Sequence, residues 1–177
     1  MPFMKSLPDT ANVREIFGLK PELRRAHGEM GRIIMRGDSE LTPAERETIA
    51  AYVSRINRCD YCYGGHSELA KSLGANSSIF ENMFDDVDAV PVSEKLKPIL
   101  QFANVLTLQP GKVSQAHADA VYAAGWSEKA LHDAILVICR FNFMNRLTLG
   151  HGLDPAPENF EKRAASMAYS TGPQGKE

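Results

Sequence analysis

The sequence predicts an all-α fold, a single-domain helical bundle, on three observations. Apolar residues recur at three- and four-residue steps over most of the chain. Those repeats open on capping residues or an early proline and close on glycine, which is how helices are punctuated. No segment of useful length alternates apolar and polar residues as a half-buried strand does, and no internal repeat or low-complexity tract is present. Six to eight helices are expected. With 177 residues, 44% of them hydrophobic and 24% charged, the chain is long enough to bury a core of its own.

Residues 1–20 contain Pro2, Pro8 and Gly18 and predict an extended arm with one short turn near 13–17. Pro21 then stands at a first helical position, and Leu23, Ala26, Met30, Ile33 and Ile34 keep a helical period to about Arg36. Gly37-Asp38-Ser39 stops it. Thr42-Pro43-Ala44-Glu45 combines a capping box with proline at the first position. The helix it opens has Ile49, Tyr52, Val53 and Ile56 as its apolar stripe. Glu47 lies roughly opposite, in line with the small residues Ala44, Ala51 and Ser54. Such a face admits a neighbouring helix that would meet a single acid, and the next helix is the natural candidate; the alternative is an ordinary solvated glutamate. That next helix starts at a cysteine pair and ends at Gly74.

Ser77 or Ser78 opens a short segment with Ile79, Met83 and Phe84 apolar, and Asp85, Asp86 and Asp88 mark a loop. Ser93 caps a helix built on Leu96, Ile99, Leu100, Ala103 and Leu106, with Pro98 in its first turn and Pro110-Gly111 at its end. Ser114 starts a helix with Ala118, Val121 and Tyr122, closed by Gly125. Ser127-Glu128 opens the longest, over about 128–149, whose middle is apolar nearly all round. A helix without a wet face is central in a bundle or buried between subunits. Its polar residues Asn142, Asn145 and Arg146 therefore need partners on other helices or subunits. Cys139 reads as a small buried hydrophobe and Trp126 as core or interface. After Gly150 the chain is proline-bearing, then weakly helical, then polar. The expected organisation is an N-terminal arm (1–20), a helical core (21–152) and a C-terminal extension (153–177) with a disordered end.

A net charge of -2 gives no reason to expect a nucleic-acid partner. The first residues, MPFMKSLPDT, hold no apolar leader, and the longest apolar run, 134–139, is far too short to cross a bilayer. A cytoplasmic protein with no membrane partner is the expectation. Of three cysteines only two are close in sequence, and in a reducing compartment such a pair serves redox or metal chemistry more often than structure.

The pair belongs to the pattern E-x11-C-x2-C-x3-H, made of Glu47, Cys59, Cys62 and His66. Cysteines three apart on a helix are within disulfide reach. At a helix start, free N–H groups and the positive dipole end favour a thiolate. His66 comes one turn after Cys62, on the same face as its sulfur. Cys59, Cys62, His66, Leu69 and Leu73 form one stripe, leaving Asp60, Glu68 and Lys71 toward solvent. A base beside a half-buried thiol is redox or nucleophilic geometry. Zinc is the weaker reading, because these residues supply three ligands and no second CxxC or HxxxH completes a set. Tyr61 and Tyr63 are candidate pocket residues, and Arg55 and Arg58 would add positive potential that Asp60 opposes. His27, His117, His132 and His151 receive no role.

The run ERE-x-IAA-x-VS-x-IN-x-C-x-YC-x3-H-x6-G resembles the alkylhydroperoxidase D / carboxymuconolactone decarboxylase superfamily, nearest its peroxidase-related branch. The late stretch Phe141-Asn142-x-Met144-Asn145-Arg146 is similar too, so the resemblance covers most of 20–150. It implies an all-helical homo-oligomer, often a trimer or hexamer, working without cofactor or metal. It implies that Cys62 attacks the peroxide and Cys59 resolves, while Glu47, His66 and a water relay protons. The partners would be a hydroperoxide substrate and an external dithiol reductant. One position departs from the family. Active peroxidases commonly carry a second histidine just before the attacking cysteine, where this chain has Tyr61; tyrosine titrates near pH 10 and is a poor base at neutral pH. The competing readings are a redox-sensing or catalytically weak oligomer and a lactone decarboxylase, against which the intact CxxC argues.

Overall fold

The computed structural model describes residues 1–83 and 86–167. Among them are nine α-helices and no strand, with three short 3-10 turns. The helices are α1 (Val13–Gly18), α2 (Pro21–Arg36), α3 (Pro43–Ile56), α4 (Asp60–Ser72), α5 (Ser78–Glu81), α6 (Lys97–Leu108), α7 (Gln115–Ala123), α8 (Glu128–Gly150) and α9 (Phe160–Met167). The count exceeds the expected six to eight because short pieces such as α1 carry local caps that periodicity does not reveal. Asn12 and Glu15 form a capping box around the six residues of α1.

Thr42 and Glu45 close the expected capping box on α3, and Pro43 occupies its first turn. The surprise is how completely α3 is buried. Ten of its 14 residues are buried, so α3 rather than α8 is the central helix, packing against α4, α6 and α8. Its polar residues tolerate this because each finds an internal partner. Arg46 donates to the carbonyls of Ile34 and Gly37, Thr48 to Ala44, and Ser54 to Ala50.

Helix α8 buries one side and bares the other. Cys139 is exposed, contrary to the sequence expectation. It shares an outward face with Phe143 and Leu149, which are 50% and 45% exposed. The apolar repeat of α2 also faces out: Leu23, Met30 and Ile33 are exposed, while Gly31 and Met35 are buried. Periodicity located both helices but could not say which face the single chain would cover. Asn142, Asn145 and Arg146 of α8 find the partners they need, Arg146 within the helix itself. Asn57 donates to the side-chain oxygens of Asn142 and Asn145, Asn145 donates to Ser54, and Arg146 donates back to Asn142. Trp126 is buried and donates to the Lys95 carbonyl at 2.7 Å.

Both ends of the chain wrap toward the start of α4. The Phe3 N–H donates to the His151 carbonyl, and Ala11 and Ile16 pack with Cys59, Tyr61, Cys62 and Leu153 in a second apolar cluster. Helix α9 lies on α4. A Cβ on Gly64 would overlap the Phe160 ring, and one on Gly65 would come within 2.8 Å of Met167, so these two glycines set how closely α9 docks. Residues 168–177, among which the expected disordered end of the extension falls, and Phe84 and Asp85 of the acidic loop lie outside the described residues. No described helix is long and apolar enough to cross a membrane.

Candidate active site

The connection from α3 to α4 is three residues, Asn57, Arg58 and Cys59, and Arg58 turns the chain with φ +56. A non-glycine residue adopts that conformation rarely, so the tight reversal is a specific feature of the site. The Cys59 N–H donates to the Ser54 carbonyl at 2.9 Å, and Cys59 becomes the N-cap of α4. Cys62 then falls at the third helical position. The Thr148 hydroxyl of α8 lies 3.2 Å from the Cys59 sulfur and 3.4 Å from that of Cys62. Both thiols are free and buried.

One turn on, His66 Nδ1 lies 2.6 Å from Glu47 Oε2. Glu47 is fully buried, and its other oxygen accepts from Arg36 Nη2 at 2.8 Å. A carboxylate held by an arginine is an acceptor, so Nδ1 carries the hydrogen and Nε2 keeps its lone pair. The edge of Phe141 against the ring, centroids 4.4 Å apart at 79°, fixes its plane. Of the four residues singled out by spacing, Glu47 and His66 are paired, and all four are buried.

A cavity of about 900 Å³ opens beside them. Its walls include Cys62, His66, Tyr61, Phe141 and Met144, with residues from the N-terminal arm, α2 and the C-terminal stretch. Cys59 does not line it. Neither does Tyr63, whose hydroxyl donates to the Phe80 carbonyl at 2.6 Å; that candidate pocket residue is structural. Tyr61 does line the cavity, with the Arg163 guanidinium 3.8 Å from its ring centre. Arg55 and Arg58 are exposed and off the cavity, whose basic lining residues include Arg140 and Arg163. Among the described residues, no three His, Cys, Asp or Glu side chains are grouped to hold a metal ion.

The carboxymuconolactone decarboxylase family matches residues 21–81, the segment holding Glu47, both cysteines and His66. An uncharacterized peroxidase-related protein from Silicibacter sp. TM1040 is 26% identical with a TM-score of 0.77, covering 84% of this chain and 78% of that one. Over residues 21–81 the chain is similar to the carboxymuconolactone decarboxylase family, and it shares the fold of this peroxidase-related protein. Two further structures share the fold at lower identity. An alkylhydroperoxidase AhpD core from Ralstonia eutropha JMP134 is 22% identical with a TM-score of 0.76, over 84% of this chain and 78% of that one. The debrominase Bmp8 in complex with 2,3,4-tribromopyrrole is 19% identical with a TM-score of 0.69, over 92% and 95%. Among curated proteins, none matches the chain.

The two sulfurs of the chain are electrostatically unequal. The thiol of Cys62 donates to the Cys59 sulfur, which lowers Cys59 to about 7 despite the opposing effect of burial. The same bond, then burial, then the neighbouring negative sulfur push Cys62 well above its ordinary value of 9.0. The first negative charge of the reduced pair therefore appears as pH rises through about 7, and it rests on the sulfur away from the cavity. Ultraviolet thiolate absorbance is expected to gain one thiolate per chain as pH rises through about 7. The second should not follow until well above 9.0. Two coincident steps near 9.0 would show that the sulfurs do not share a proton. Burial, ahead of the opposing Arg163 charge, raises Tyr61, so it is neutral near pH 7 and supplies no base.

Sequence reasoning missed Arg36, Thr148 and the cavity residues contributed by the chain ends. Arg36 reads as a C-terminal helix cation, and nothing in its spacing points to Glu47 in the next helix. Thr148 is a lone hydroxyl late in an apolar run.

Proposed function

We propose that the protein is a thiol-dependent peroxidase acting on organic hydroperoxides or hydrogen peroxide. The observation that carries it is the Glu47–His66 pair, 2.6 Å apart, beside a free cysteine pair whose Cys62 alone faces a cavity. The thiolate of Cys62 attacks the terminal peroxide oxygen. The O–O bond breaks, the alkoxide takes a proton and leaves as alcohol, and the sulfur becomes a sulfenic acid. The Cys59 thiolate then attacks that sulfur, and the hydroxide it displaces takes a proton from solvent or His66 and leaves as water, forming a disulfide. An external dithiol reopens it through a mixed disulfide, taking up the two electrons' worth of oxidation.

Access supports Cys62 as the attacking sulfur, because Cys59 is fully buried and off the cavity. The proton of Cys62 has two routes out, across the hydrogen bond to Cys59 or to Nε2 of His66. Glu47 fixes the histidine tautomer and stabilises the imidazolium when it forms. The external reductant and a homo-oligomeric assembly belong to the same proposal, the latter supported by the bared apolar faces of α2 and α8.

Adding one equivalent of cumene hydroperoxide to reduced protein should consume both thiols, and a dithiol reductant should restore them and sustain turnover. A single oxidation that no dithiol reverses would favour a sensor, and unchanged thiols would remove the redox reading altogether.

A further inference from the structure

Arg140 is a charged group of the cavity wall that the proposed chemistry leaves unused. It is 7% exposed and lines the same cavity as Cys62 and His66. Its Nη2 donates to His27 Nε2 at 2.9 Å, while its buried Nε and Nη1 have no hydrogen-bond partner. His27 does not neutralise it. Burial, and then the charge of Arg140 itself, hold that imidazole down at about 4, so near pH 7 it is a neutral acceptor. No carboxylate among the described residues pairs with the guanidinium. Other arginines near the site differ. Arg36 faces Glu47 at 2.8 Å, and Arg163 donates to the Tyr61 and Pro155 carbonyls at 2.7 Å each. A shielded guanidinium without a counter-charge is unfavourable, and an anion brought into the cavity relieves it.

Helix geometry supplies the distance. Arg140, Met144 and Thr148 stand at i, i+4 and i+8 of α8, along one face. Thr148 touches both sulfurs, and Arg140, Phe141 and Met144 line the cavity. At 1.5 Å per residue the sulfur end and the guanidinium end are about 12 Å apart along the axis. Two polar ends separated by an apolar wall fit a ligand with the same layout.

We propose that Arg140 anchors the carboxylate of an amphipathic, fatty-acid-type hydroperoxide whose chain lies along Phe141 and Met144 and whose peroxide reaches Cys62. This rests on the peroxidase reading and narrows its substrate class. Gly31 serves the same arrangement, since a Cβ there would lie 2.5 Å from Arg140 Nη2 and displace the guanidinium.

The test compares linoleic acid hydroperoxide with its methyl ester on reduced wild-type protein. A lost charge-assisted contact is worth about tenfold or more, so the acid should exceed the ester by at least that in kcat/KM, chiefly through KM. Arg140→Met should bring the ratio near one, and Arg140→Lys should keep part of it. Equal handling of acid and ester by wild type overturns the anchor, while turnover of cumene hydroperoxide in the same preparation leaves the peroxidase reading standing. If no hydroperoxide is consumed, calorimetric binding of dodecanoate against methyl dodecanoate decides. Tighter binding of the acid that Arg140→Met removes supports the anchor, and equal or absent binding overturns it. Should Arg140→Met fail to fold, the wild-type comparison is decisive alone.

Discussion

Cys62→Ser is expected to abolish hydroperoxide consumption, by roughly a thousandfold or more, because it removes the sulfur that the cavity presents. Cys59→Ser should behave differently. Its Cys62 can still be oxidised once, but no second thiol is at hand to expel water, so a sulfenic acid accumulates as a single added oxygen by mass. The electrostatics add a sharper expectation. In wild type the largest cause raising Cys62 is its bond to Cys59, with the charge on that sulfur adding to it. Serine in place of Cys59 removes the charge and leaves a weaker acceptor, while Thr148 remains to favour the thiolate. Cys62 should then ionise at lower pH than in wild type and react with peroxide at least as fast in the single event. Stopped-flow peroxide consumption with thiol titration reads both effects. Equal residual turnover in the two variants would dissolve the division of labour between the sulfurs.

Much of this site was legible because its chemistry obeys local spacing. The box around Thr42 and Glu45 announced α3, and Cys59, Cys62 and His66 are three points on one helix face, so i+3 and i+7 suffice to align them. Glu47 was legible only as a conditional, an acid among small residues that would matter if a helix packed there. The structure supplies the condition, because the three-residue connection with its turn at Arg58 folds α4 back onto α3. What could not be read is whatever depends on contacts far apart in the chain. Arg36 reaches Glu47 from the preceding helix, Thr148 reaches the sulfurs from 86 and 89 residues away, and Arg163 covers Tyr61 from 102. Cys139 went wrong for a related reason. An apolar helix hides all its faces only if enough partners surround it, and the packing of a single chain leaves the face of Cys139 and Phe143 open.

Glu47→Gln is the substitution expected to cost most among those that preserve shape. The carboxylate sits between a donor on each side, Arg36 at 2.8 Å and the Nδ1–H of His66 at 2.6 Å. Glutamine offers one oxygen and one NH2 group. A guanidinium can only donate, so Arg36 takes the oxygen and the amide hydrogens turn toward His66. The imidazole must then accept at Nδ1 and carry its hydrogen on Nε2, which removes the lone pair that faces the cavity. The imidazolium also loses its counter-charge. Loss of positioned proton transfer predicts a fall in kcat/KM of about a hundredfold to ten-thousandfold. Arg36 loses its ion pair as well, and breaking a buried pair costs about 3–5 kcal/mol. This pair meets that description, because Arg36 is 9% exposed and Glu47 not at all. The melting temperature should therefore drop while the fold survives at assay temperature. The activity loss is separable from instability by its pH profile, since a merely loosened protein keeps the wild-type shape and a tautomer-inverted one does not. A wild-type rate in a folded Glu47→Gln protein would show that no proton passes through His66.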